Sequence, residues 1–147
     1  MSFRAGILML AFAVLAWLTG TLCAQNPSYQ SDPNWHAPAD AAAKANPLAK
    51  RPETAAGGKK LFLKNCAECH GNDGLGIEKK HSANLSSPSV QEQSDGALFW
   101  KITNGNFDRG MPSFSQLPEL QRWQLVLYLR TIKPSNSSEH AEAARQR

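Results

Sequence analysis

Residues 66–70, Cys66-Ala67-Glu68-Cys69-His70, constrain this chain more than any other stretch. On a helical turn, positions i, i+3 and i+4 share one face, so Cys66, Cys69 and His70 point the same way. C-x-x-C-H is the spacing with which two thiols add across the vinyl groups of one haem while the adjacent imidazole reaches its iron. C-x-x-C alone also suits a redox dithiol or half a zinc site; the following His shifts the balance to haem c. Cys66, Cys69, His70 and His81 make four zinc donors on paper. Adjacent Cys69 and His70 are awkward joint ligands, however, and the usual zinc spacings differ.

The N-terminus bears on how these cysteines are used. Arg4 is the only early charge, an apolar run follows from Ala5 to Leu18, and Thr21-Leu22-Cys23-Ala24 supplies a small-residue end. Residues 1–24 therefore read as an export signal. Left uncut, the uncharged stretch to Ala24 is long enough to serve as an N-terminal anchor. Leu22 argues against lipidation at Cys23, because a lipoprotein signal carries a small residue there. With Cys23 in the signal, Cys66 and Cys69 stand alone. In an oxidising compartment they invite a disulfide, but so short a loop removes little chain entropy. Thioether attachment is the better structural use. Beyond residue 24 lie 15 of the 16 Lys and Arg residues and all 12 acidic ones, leaving a net charge of +3. That is too mild to indicate nucleic acid.

Residues 25–50 are rich in Ala, Asn, Pro, Ser and Gln without a sustained apolar period, and read as a flexible arm. Trp35 and His36 are its odd members. Residues 134–147 read as a disordered tail. The compact part is residues 51–133, with three helical segments and no convincing strand, hence an all-α domain. The first runs from about Thr54, an N-cap candidate, to the haem motif, with Gly58, Leu61, Phe62 and Asn65 at helical spacing. Its Gly57 and Gly58 suit close approach to another helix, or merely a ragged start. The second runs from Asp95 to about Thr103, with Ser94 as cap and Gly105 as stop. The third starts near Pro118 and ends before Pro134; Leu120, Trp123, Val126, Leu127 and Leu129 form its broad apolar face. Gly71, Gly74 and Gly76, directly after the motif, suit backbone turning tightly past a flat ligand.

A haem iron with one His has an open axial position. Met111 is the only methionine beyond the signal and lies in an irregular Gly110-Met111-Pro112 turn. A lone Met is usually a core gap-filler, but this loop context favours ligation. A thioether is a soft donor, and Met/His ligation raises the reduction potential. Pro112 would fix the turn. His81 is the rival donor; it follows Glu78-Lys79-Lys80 and reads as a surface histidine, as does His140.

Taken together, the motif, the Gly-Met-Pro loop and the terminal helix resemble an exported class I, monohaem cytochrome c across residues 51–133. The stretches Gly57–Asn65, Asp95–Gly105, Gly110–Phe114 and Trp123–Arg130 look like that family's first helix, middle helix, methionine loop and last helix, in order. The resemblance implies a small cytochrome c fold of about three main helices around one covalent haem c. It implies attachment at Cys66 and Cys69, with His70 and Met111 as the axial ligands of the iron. It also implies that the first and last helices cross, Gly58 and Phe62 meeting Trp123 or Tyr128. A backbone carbonyl near a proline would support the proximal His, and Pro88 is the candidate.

The function this predicts is one-electron transfer between a redox-protein donor and acceptor, by an electron carrier in an exported or periplasmic chain. Leu61, Phe62, Leu75, Leu85, Leu98, Phe99, Ile102, Phe114 and Trp123 are candidates to line the pocket. Lys59, Lys60, Lys79 and Lys80 suit steering of an acidic partner, or are simply solvated faces. The alternative is a haem c subunit of a membrane-associated oxidoreductase. An open-site haem enzyme or sensor requires that Met111 not ligate, and no further catalytic constellation supports it.

Overall fold

The computed structural model describes residues 26–133, so the expected signal or anchor and the tail fall outside the described residues. Among those residues there are six helices and no strand: α1 (Ala39–Ala42), α2 (Ala55–Asn65), α3 (Ala67–His70), α4 (Pro88–Gln91), α5 (Asp95–Asn104) and α6 (Glu119–Leu129). The three long ones, α2, α5 and α6, are the three expected from the apolar spacing.

Local chemistry sets their ends. Ser94 Oγ accepts the Ala97 N–H at 3.1 Å and donates to the Ala42 carbonyl at 2.6 Å, so one hydroxyl caps α5 and ties α1 to it. Gly105 ends α5 at φ 70°. Thr54 does precede α2, but its hydroxyl donates back to the Arg51 carbonyl instead of accepting a helix N–H. Ser94→Ala removes two bonds together and is expected to cost about 1–2 kcal/mol. Thermal unfolding checks this, and an unchanged midpoint would contradict the cap.

α2 and α6 cross at Gly58. A Cβ there would drive into the Gln124 carbonyl and come within 2.9 Å of Tyr128 Cβ, so glycine is what lets the two backbones meet. One turn on, Phe62 packs against Tyr128 with ring centroids 5.1 Å apart. Trp123 instead stacks on Phe99 of α5, at 4.0 Å and 16°. Phe62, Leu125 and Val126 are the most deeply buried apolar side chains. Leu120, expected on the buried face of α6, is 56% exposed. Arg130 closes the frame from the far end of α6, pairing with Asp95 at 2.8 Å and donating to the Gln91 carbonyl.

Residues 26–50 depart from the flexible arm expected of them. Leu48 is buried in the core cluster. Asn46, also buried, donates to the Trp123 carbonyl at 3.3 Å and accepts the Leu48 N–H at 2.9 Å. Trp35 Nε1 donates to the Gly105 carbonyl at 2.9 Å. Apart from the single turn of α1, whose Ala42 carbonyl Ser94 holds, the segment is irregular backbone moored by single side chains, an arrangement with no period to detect.

Candidate functional site

The Cys66–His70 stretch forms a helical turn, as its spacing predicts. His70 N–H donates to the Cys66 carbonyl at 2.9 Å and Gly71 N–H to that of Ala67. Cys66 itself, at φ −120°, breaks the path between α2 and α3 and caps the short helix that carries the other two residues. Cys66 and Cys69 are both free thiols, partly buried. Burial, with a smaller contribution from neighbouring Cys69, pushes the Cys66 thiol up to about 12. It is therefore protonated at neutral pH, and a thiol is a far weaker nucleophile than a thiolate.

His70 Nδ1 lies 3.1 Å from the Ala83 carbonyl. A carbonyl only accepts, so Nδ1 carries the proton and Nε2 keeps its lone pair. Burial holds the imidazole below its ordinary range, against the opposing pull of that bond. The supporting carbonyl is thus that of Ala83 and not one beside Pro88, which begins α4. Ala83 is brought there by the glycine loop. Gly76 adopts φ 85°, and a Cβ on it would lie 2.7 Å from the Ser82 carbonyl and 3.1 Å from Ala83. Ser82 Oγ locks the arrangement, donating to the Cys69 carbonyl at 2.5 Å and accepting the Ile77 N–H at 2.8 Å.

Met111 sits on a separate loop after α5. It exchanges two backbone hydrogen bonds with Asn106, at 2.8 and 2.9 Å, a single antiparallel bridge. Gly110 makes the preceding turn at φ 77°. Phe114 N–H donates to the Ile102 carbonyl and Ser113 Oγ to that of Thr103, stapling the loop to the end of α5.

Cys66, Cys69, His70 and Met111 all line one cavity of about 920 Å³. Of the expected lining, Phe62, Leu85, Leu98, Ile102 and Phe114 are there. Leu61, Leu75, Phe99 and Trp123 are not; the last two are engaged with each other behind the wall. Leu125 and Leu129 of α6 take their place, as do Tyr29, Asp32 and Trp35 from the segment expected to be an arm. His81 reaches the cavity edge but is exposed, with Nδ1 3.3 Å from the Ser28 carbonyl. Among the described residues no three His, Cys, Asp or Glu side chains are placed to hold a metal ion. The four-donor zinc set considered above is therefore not formed.

Residues 53–129, just over half of the chain, match the family described as cytochrome c oxidase, cbb3-type, subunit III. The chain belongs to this family of c-type cytochrome domains. Its fold is the small all-α cytochrome c fold, its cofactor is covalent haem c, and its chemistry is haem electron transfer. Neither the curated proteins nor the solved structures gave a match. The cavity suits the cofactor on chemical grounds. It offers two unpaired thiols three residues apart, a neutral imidazole with a free nitrogen lone pair, a thioether, and apolar walls.

Proposed function

We propose that haem c is bound through thioethers to Cys66 and Cys69, with His70 Nε2 and the Met111 sulfur as axial ligands, and that the domain carries single electrons between redox proteins in an exported, periplasmic chain. What carries this reading is the meeting of both thiols, His70 and the only methionine beyond residue 24 in one cavity whose inner walls are Phe62, Leu98, Ile102, Phe114, Leu125 and Leu129. When bound, the haem supplies reversible one-electron chemistry, tuned by its axial ligands and by burial. The chain's own residues keep that chemistry fast by staying still. The Ala83 carbonyl holds the His70 proton and ring orientation. Asn106 holds the Met111 backbone. Phe62, Leu98, Ile102 and Leu129 exclude water. Lys59, Lys60, Lys79 and Lys80, all exposed, lend a positive field to an approaching acidic partner.

Expression with cytochrome c maturation machinery, followed by peptide mass mapping, tests the attachment. The expected result is haem retained after denaturation on the peptide containing residues 66–70, and complete loss of covalent haem in the Cys66→Ala/Cys69→Ala variant. Covalent haem surviving that double substitution would overturn the assignment.

A second reading has a specific observation behind it, the oxidase-subunit description of the matched family. In it the same domain works fixed within a membrane oxidase complex. Among the described residues no helix is long and apolar enough to cross a membrane, so the uncharged stretch from Ala5 to Ala24 would be the anchor. Cell fractionation separates the two: protein wholly in the soluble periplasmic fraction sinks the anchored version.

A further inference from the structure

We infer that the segment 26–36, which lies outside the span matched to the family, belongs to the haem site as a clamp, and that Asp32 and Trp35 are positioning residues for the loop carrying Met111. The inference rests on Met111 being an axial ligand. Asn106 is the residue whose backbone pairs with Met111 in both directions. Its buried side chain is in turn held from the segment, Asn106 Nδ2 donating to Asp32 Oδ2 at 3.0 Å. The neighbouring Gly105 carbonyl accepts Trp35 Nε1–H at 2.9 Å. Lys101 of α5 lies 4.5 Å over the Trp35 ring, fixing the indole against the end of the helix from which the loop departs.

The other end of the segment holds the opposite axial support. Asn26 Nδ2 donates to the Ser82 carbonyl at 3.1 Å and Ser28 Oγ to that of Glu78 at 2.7 Å. Ser82 precedes Ala83, whose carbonyl holds His70. Between these moorings Tyr29 and Asp32 line the cavity. One continuous stretch therefore joins the His70 support to the Met111 support, across the face of the cavity. A thioether is a weak ligand that an exogenous nitrogen base can displace. Displacement requires the sulfur and its loop to move, and each bond to Gly105 and Asn106 opposes that movement.

The test uses full-length ferric holoprotein and imidazole as the competing ligand, following the weak long-wavelength sulfur-to-iron charge-transfer band. Trp35→Phe keeps a ring beneath Lys101 and loses only the N–H donor; Asp32→Ala loses the acceptor. Combined, they are expected to bind imidazole about tenfold more tightly than wild type, the scale on which losing one or two net hydrogen bonds moves an equilibrium. Asp32→Asn, which keeps an oxygen for the Asn106 amide, is expected to bind imidazole less tightly than Asp32→Ala. Amide exchange is expected to rise at Met111 and Asn106 but not within α6, which a general loss of stability would not produce. If wild type shows the band and Met111→Ala abolishes it, yet the combined variant binds imidazole with wild-type affinity, the clamp is wrong and the ligand assignment stands. If wild type has no such band, Met111 is not the ligand and the clamp falls with it.

Discussion

Replacing Met111 with Ala is expected to lower the reduction potential by roughly 0.2 V, a fraction of the ~0.8 V that axial ligands span, and to open the iron to added ligands. A thioether is a soft donor and favours the reduced metal, so its loss removes stabilisation from the ferrous state. The fold is expected to survive. Met111 is only partly buried, its pairing with Asn106 is through the backbone, and the loop is stapled to α5 through Ser113 and Phe114. A potentiometric titration of wild type and variant reads the change directly. An unchanged potential, with no gain in binding of imidazole or carbon monoxide, would mean that the sulfur does not touch the iron.

The second large effect is on stability. Gly58→Ala gains helix propensity worth about 1 kcal/mol, and at a solvent-facing position it would stabilise. Here the added methyl meets the Gln124 carbonyl and Tyr128 Cβ. Backbone cannot step aside as a flexible side chain does, so α2 and α6 must separate. Overpacking of this kind costs about 1–3 kcal/mol and occasionally more, and parting this crossing also disturbs the Phe62–Tyr128 contact beside the haem motif. A net loss of about 1–2 kcal/mol is expected, a midpoint lower by roughly 5–15 °C for a domain of this size. Gly57→Ala serves as the control, since its Cβ would meet only the Gln124 side chain, at 3.2 Å, which can move. Equal midpoints for the two variants would contradict the close crossing.

These two sites differ in how they were legible. Gly58 stood out as a glycine within an apolar helical period, but nothing local told close approach from a ragged start; that needed α6 in place. The C-x-x-C-H turn, the Ser94 cap and the Gly105 stop are local features and read correctly from local spacing. Pairings between elements were less accessible. Periodicity marks Phe99 and Trp123 as buried without saying that they stack on each other and leave the cavity wall to Leu125 and Leu129. The carbonyl behind His70 belongs to Ala83 because Gly76 folds the loop back there, a backbone event with no side-chain signature. Residues 26–50 are the least legible part of the chain. Their composition is that of a tether, yet Asp32 and Trp35 bind the Gly105–Asn106 turn, Asn46 binds α6 at the Trp123 carbonyl, and Leu48 is buried in the core cluster. The clearest signal is a tryptophan in a stretch otherwise dominated by Ala, Pro and polar residues, a large apolar side chain that is costly to leave in water.

The most direct test of His70/Met111 ligation is the visible absorption spectrum of the matured wild-type protein in both oxidation states. Sharp low-spin bands when reduced, with the weak sulfur-to-iron charge-transfer band when oxidised, are the predicted result. A high-spin ferric spectrum that shifts on adding small ligands would contradict it, because the iron would then have an open position and the domain would be built to bind a molecule instead of passing an electron.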